Sequence, residues 1–193
     1  RKYQALATLK ATVIILDMFE AAGMTLRVIP GNHDKPDYES EDSYLDIFTK
    51  YPALELINTV GYYDHEDVRV HLIPFFDEKT VYSKYLESAL DVVGEGKNIL
   101  LTHIEVNGVK NNDGSEMEEV VSQKSIAQSF DLTCVGHYHD LQELADGKIV
   151  YIGATHQHNF GEDDLKGMTI LYDDLTMEQE KFDTMEYKSI TID

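Results

Sequence analysis

Thr25-Leu26-Arg27-Val28-Ile29-Pro30-Gly31-Asn32-His33-Asp34 couples a short, mostly apolar run to a turn and then to three polar side chains. A run of aliphatic and β-branched residues stopped by Pro-Gly predicts a buried strand. The polar cluster then lies just past that strand's carboxyl end, where open α/β sheets gather their ligand sites.

Two further stretches repeat the pattern. Ile99-Leu100-Leu101 runs into Thr102-His103, and Leu132-Thr133-Cys134-Val135 runs into Gly136-His137-Tyr138-His139-Asp140. Four of the eight histidines fall at these three strand ends. In His137-Tyr138-His139 the i, i+2 spacing aims both imidazoles to one side of an extended segment. Gly31 and Gly136 suit turns that let neighbouring side chains approach a common centre. Imidazoles joined by an amide oxygen and carboxylates form a mixed N/O donor set, suited to Mn, Fe, Zn or Ni rather than Ca or Mg alone. Neutral imidazoles are the ligands, so metal affinity should fall as pH drops through their titration range. Each cluster alone has an ordinary reading: a hydrogen-bonded strand-end histidine, a surface His-x-His, an Asn-Asp turn. Their recurrence at three strand ends predicts one shared metal centre.

Outward from these motifs the pattern is of helices alternating with strands, then of strands alone. Helical spacing over 2–22 places Leu6, Leu9, Val13 and Leu16 on one face, closed by Phe19 or Glu20, with Gly23 as the stop. A second helix is expected near 43–51 and strands near 54–57 and 68–75. Tyr82, Tyr85, Leu86, Ala89, Leu90 and Val93 mark the clearest helix. Strands at 98–102 and 132–135 flank a polar, acidic loop from Asn111 and a helix near 118–130. Strands at 148–153, 168–172 and 187–192 complete the chain. This order predicts an α/β layered fold with mixed sheets.

The chain has 193 residues, 42% of them apolar, which suffices for a proper core. Its 36 acidic and 16 basic residues leave a net charge of −20, which argues against a broadly basic nucleic-acid surface. No apolar run approaches the roughly 18 residues of a membrane span, so no membrane partner is expected. A single cysteine, Cys134, excludes an internal disulfide and a Cys-only zinc site and fits a reducing, cytoplasmic setting. The chain opens Arg1-Lys2-Tyr3 without a signal peptide and reads as starting in mid-domain. With no linker and no repeat, residues 1–193 are expected to form one domain that is N-terminally incomplete.

The series Gly-Asn-His-Asp, Thr-His and Gly-His-x-His resembles the calcineurin-like metallophosphoesterases. That resemblance implies a four-layer α-β-β-α sandwich with mixed sheets, here without its N-terminal strands. It also implies two divalent metal ions, Mn²⁺ foremost and Fe, Zn or Mg as alternatives, bridged by a carboxylate and a water or hydroxide. By the same match Asn32, His103 and His137 would hold one metal and His139 the other. His33 would stabilise or protonate the leaving oxygen, and Asp34 would orient it. Tyr151-Ile152-Gly153-Ala154, Phe160-Gly161-Glu162 and Lys166-Gly167-Met168 are similar to the tail of the nuclease branch, that of the SbcD exonuclease subunits and their tailed-phage recombination endonuclease relatives. This branch implies DNA as substrate, an SbcC-like coiled-coil ATPase as partner carrying much of the DNA contact, and a possible homodimer. The family's Asp-x-His and Gly-Asp-x-x-Asp motifs do not occur before Asn32, so the 193-residue chain alone is expected to be inactive.

Two rival readings stand beside the nuclease. A small-molecule phosphodiesterase or phosphatase of the same superfamily would explain the acidic surface, and an inactive scaffold that binds a partner would explain the absent motifs. Among the remaining residues, His156-Gln157-His158 repeats the His-x-His spacing and could add a ligand or touch substrate, with a solvated strand edge the preferred reading, and His65 and His71 are expected to face water. Phe75-Phe76 reads as core with the option of stacking a base, Asp113–Glu119 as a solvated acidic loop, and Cys134 as inert. Lys35, beside the histidine motif, is counted as local positive charge.

Overall fold

The computed structural model describes residues 4–76, 79–111, 115 and 121–188. Its centre is a six-stranded mixed sheet of β3 (Gly61–His65), β4 (Val68–Ile73), β5 (Lys97–His103), β6 (Leu132–Gly136), β8 (Ile149–Ile152) and β7 (Leu141–Leu144), in that spatial order. The inner strands β4, β5, β6 and β8 are parallel, while β3 and β7 pair antiparallel at the edges. Parallel strands need crossovers, and α2 (Lys79–Leu90) and α3 (Gln123–Ala127) lie in the β4–β5 and β5–β6 connections.

Inner strands buried on both faces read as continuous apolar runs, and the two-residue period sends alternate side chains to two cores. One core joins Leu100, Val135, Ile149 and Tyr151 of the sheet to Tyr82, Leu86 and Ala89 of α2 and Ile126 beside Phe130. The other joins Val68, Val70, Ile99, Leu132, Cys134 and Val150 to Leu171, Leu175 and Met177. Those last residues belong to or adjoin a ribbon of β9 (Gly167–Leu171) and β10 (Met177–Lys181). A parallel pair, β1 (Leu26–Val28) and β2 (Leu54–Leu56), stands nearby, with the Arg27 guanidinium 4.2 Å over the Tyr63 ring and 2.7 Å from Glu55. Helices on one face of the sheet and strand pairs on the other give the mixed α/β sandwich anticipated above.

Several expectations change. The helix expected at 43–51 is a 3-10 turn over Tyr44–Phe48, started by Ser43, whose hydroxyl accepts from Leu45 N–H while its own N–H donates to Asp46. The first helix, α1 (Leu6–Ala21), buries Leu16 but leaves Leu6 67% exposed, with Ile14, Ile15 and Met18 also exposed. β3, β7 and β10 were not anticipated. All three are edge strands whose polar residues, such as Met177-Glu178-Gln179-Glu180-Lys181, mask the alternation that betrays a core strand. Tyr187 and Lys188 are not in a strand, and the rest of 187–192, like all but Ser115 of the 113–119 loop, lies outside the described residues. Cys134 is buried, which pushes its thiol up to about 11 and leaves it inert. Among the described residues no helix is long and apolar enough to cross a membrane.

His71 corrects a further expectation. It is fully buried rather than facing water, because it points from β4 toward the helix face, edge-on to Phe130. Its Nε2 lies 3.1 Å from Asn98 Oδ1, which also accepts from Gly94 N–H, and Asn98 Nδ2 donates to the carbonyls of Gly94 and Gly96. Asn98 thus closes the turn that precedes β5 and pairs one nitrogen of the buried His71, whose Nδ1 has no hydrogen-bond partner. Asn98→Ala should cost about 3 kcal/mol, since it strands several buried polar groups at once. Urea denaturation measures this, and a loss under about 1 kcal/mol would mean that the turn holds without it.

Candidate metal centre

The sheet delivers its chemistry at the carboxyl ends of the parallel strands. His103 closes β5 and pairs in register with Gly136, the last residue of β6. The turn after β1 is drawn to the same place by Phe75 N–H, which donates to Pro30 O at 2.9 Å. Asn32, His33 and Asp34 then form a 3-10 turn, in which Asp34 Oδ2 accepts from Gly31 N–H at 2.9 Å.

His103 is clamped between two glycines. A Cβ on Gly31 would lie 2.8 Å from His103 Cε1, and one on Gly136 would lie 2.7 Å from His103 Nδ1. These glycines are required for space around the ring rather than for left-handed backbone, because the positive φ in this segment falls on His137, at +97°. Such a conformation is costly for a side chain with a Cβ and persists only where its surroundings enforce it. Phe75 forms the apolar wall: its ring stacks on His137 and meets His103 edge-on, both at 5.9 Å. It packs against imidazoles rather than standing free to receive a base.

Three of the expected ligand atoms converge. His103 Nε2 lies 3.2 Å from Asn32 Oδ1 and 3.2 Å from His137 Nδ1. With His137 Nε2–H turned to Glu105, a His103 Nε2–H can be shared between Asn32 Oδ1 and the bare His137 Nδ1, so the metal-free trio is satisfied by one proton. A cation that displaced that proton would meet the same three atoms as donors. A divalent ion about 2.1 Å from each donor spaces neighbouring ligand atoms about 3.0–3.4 Å apart, and the two separations from His103 Nε2 fall in that range. The outward nitrogen of His137, Nε2, lies 3.3 Å from Glu105 Oε1, the usual carboxylate support that fixes a ligand imidazole's tautomer. Burial, with the charges of the neighbouring imidazoles, holds His103 down to about 3, and burial also lowers His137. Both are therefore neutral and ready to bind metal at neutral pH.

His139 belongs to a second group. Its Nδ1 lies 2.8 Å from Glu162 Oε1 and 3.1 Å from His158 Nδ1. His158 was expected at a solvated strand edge; its ring is exposed but turned against His139, at 4.1 Å between centroids. Glu162 was noticed only within a tail motif, and neither it nor Glu105 stands out by sequence. The repeated His-x-His spacing was the one available signal for His158.

His33 is exposed on its turn, beside the cluster rather than inside it. Asp34 is committed to Gly31 N–H; burial raises its carboxyl, offset in part by that bond and by nearby His33. Lys35 does not supply free charge. It is 2% exposed, donates to Ser40 O at 2.8 Å and lies over the Phe76 ring, and burial pulls it down to about 8.

An α/β sandwich with imidazole and amide groups gathered at parallel strand ends is an arrangement on which a divalent metal could be held. The profile of the calcineurin-like phosphoesterases matches residues 10–141, and the chain belongs to that family, whose members use divalent metal ions. No curated protein matches the chain.

Two outcomes follow from the crowding around His103. Gly136→Ala should displace the imidazole and weaken divalent-metal binding at least about tenfold, as loss of ligand support does. Isothermal titration with Mn²⁺ measures it, and unchanged affinity would show that the ring is not held for a metal. The second concerns acid. An unfolded histidine takes its proton near 6.5, whereas folded His103 resists until about 3, so the folded metal-free chain binds fewer protons. Stability should therefore fall as pH drops from about 6.5 toward 3, and the urea midpoint should be lower at about pH 5 than at about pH 7.5. A flat profile would contradict buried neutral imidazoles.

Proposed function

We propose that this domain hydrolyses phosphodiesters in DNA, as the nuclease subunit of an SbcD-like system. The convergence of Asn32, His103 and His137 on one point carries the reading, together with family membership and the nuclease-like tail motifs from Tyr151 to Met168. Divalent ions held there would neutralise the phosphate and activate the attacking water. The chain's own residues do the rest. Asn32, His103 and His137 fix the ion's position, Phe75 shields one side from water, and Glu105 keeps the His137 tautomer that turns Nδ1 inward. Exposed His33 gives its proton to the departing sugar oxygen, on a turn held by the Asp34–Gly31 bond.

A net charge of −20 cannot attract DNA by phosphate neutralisation over a broad surface. Buried Lys35 and Lys166 do not change this. The reading therefore includes an SbcC-like coiled-coil ATPase as the DNA-holding partner in the cytoplasm, with a homodimer of this subunit as its counterpart. The same charge favours the second reading, a small-molecule phosphodiesterase or phosphatase needing no such partner.

Incubation with Mn²⁺ and three substrates separates the readings. Hydrolysis of linear DNA and of a bis-aryl phosphate supports the nuclease, hydrolysis of nucleotides alone supports the small-molecule enzyme, and bound metal without turnover supports a scaffold. Where turnover is seen, His33→Ala should lower kcat by about 100-fold or more while leaving the bound-metal count unchanged. Normal turnover in that variant would remove the proton-donor role.

A further inference from the structure

We propose that Tyr151 is a positioning residue for the metal centre: its hydroxyl fixes the backbone that carries Glu105, and through Glu105 it keeps His137 turned with Nδ1 toward His103. The proposal rests on the metal-centre reading and deepens it. Tyr151 opens one of the tail motifs, Tyr151-Ile152-Gly153-Ala154, and has no other task in the hydrolysis described above.

Tyr151 lies on β8, fully buried among the side chains of the helix-facing core. Its hydroxyl accepts from Val106 N–H at 2.8 Å and donates to Ile104 O at 3.0 Å. One hydroxyl thus ties the peptide groups on both sides of Glu105, using its donor and one of its lone pairs. The need for such a tie is topological. β5 ends at His103, so residues 104–106 have left the sheet ladder, and Val106 meets Val121 in an isolated bridge. β6 stands between β5 and β8, so the tyrosine reaches across a strand to hold this segment. Ile104 and Val106 are themselves buried, so water cannot stand in for the hydroxyl. Val121 N–H, at 3.3 Å, holds the carbonyl of Glu105 itself.

The carboxylate placed in this way serves the rings in front of it. Glu105 Oε1 lies 3.3 Å from His137 Nε2, and the Tyr138 hydroxyl also donates to Glu105. Tyr138 stands edge-on both to His137, at 5.3 Å, and to Tyr151, at 5.4 Å. Tyr151 therefore reaches His137 by two routes, polar through Glu105 and apolar through the Tyr138 ring. A proton held on His137 Nε2 by the carboxylate leaves Nδ1 bare, 3.2 Å from His103 Nε2. Orientation and protonation of a ligand imidazole are set by what its other nitrogen meets, so a Glu105 that drifts frees the ring to turn. Tyr151→Phe separates the two routes: it keeps the ring against Tyr138 and removes only the hydroxyl that ties the Glu105 backbone.

A double-variant cycle read by isothermal titration with Mn²⁺ tests the proposal, with proton NMR of the metal-free chain as a second measurement. Tyr151→Phe should weaken Mn²⁺ binding about tenfold, and Glu105→Ala at least as much. The double variant should bind no more weakly than Glu105→Ala, because the hydroxyl acts through the carboxylate. In the NMR spectrum the His137 Nε2 proton, assigned by its absence from His137→Ala, should lie at low field in the wild type and lose that position in both single variants. Circular dichroism checks that each variant is folded. Losses that add in the double variant would show a general structural role and overturn the proposal, as would wild-type affinity or an unmoved His137 proton in Tyr151→Phe; each leaves the metal-centre reading intact. The wild-type Tyr151 hydroxyl proton should be protected from solvent exchange, and free exchange would overturn the tie even if the variant failed to fold. A wild type that binds no Mn²⁺ would overturn the metal-centre reading and, with it, a role for Tyr151 in holding metal.

Discussion

Everything at the metal centre depends on how closely three strand ends approach the His103 ring. Gly31 and Gly136 sit against its two sides at distances no Cβ tolerates, so β1's turn and the end of β6 close on β5 like jaws. The register His103↔Gly136 sets one jaw, and the Phe75–Pro30 bond sets the other. Neither contact is local in sequence. The parallel sheet is therefore the device that brings three separate strand-ending motifs together around one imidazole.

This placement has an electrostatic cost that the fold meets by keeping the imidazoles neutral. Burial and mutual repulsion hold His103 and His137 below their ordinary range, which destabilises the protein in acid but leaves the nitrogen lone pairs available. Carboxylates pair with two of the histidines, Glu105 with His137 and Glu162 with His139. The few buried lysines serve the scaffold. Lys35 is held to Ser40 and over Phe76, and Lys166 is raised because Asp140 and Asp163 outweigh its burial.

The strand-ending clusters were legible because each couples a doubly buried parallel strand, an unbroken apolar run, to polar residues that such a run cannot contain. Helix α2 was legible through its apolar period. Edge strands were not, since β3 and β10 carry charges on the face turned to water. His71 misled because its neighbours Asp64, Asp67 and Arg69 are hydrophilic, yet alternation along β4 turns it inward to Asn98. His158 stands between two readings, a solvated edge and an added ligand, because a His-x-His in a polar loop looks solvated until Gln157, between the two, is seen to be the buried residue.

The two donor groups differ in what holds them. The first is assembled across the whole sheet, so its geometry exists only while β1, β5 and β6 remain packed. The second lies mostly within one loop, between His158 and Lys166, and reaches His139 through Glu162 and the Lys166–His139 carbonyl bond. Loop contacts of short sequence separation form at smaller entropic cost than strand pairings across the chain. The loop group therefore gains order from local hydrogen bonds around Gln157, while the sheet group gains it from core packing. Chain separation marks the difference, since 71 residues divide Asn32 from His103 and 4 divide His158 from Glu162.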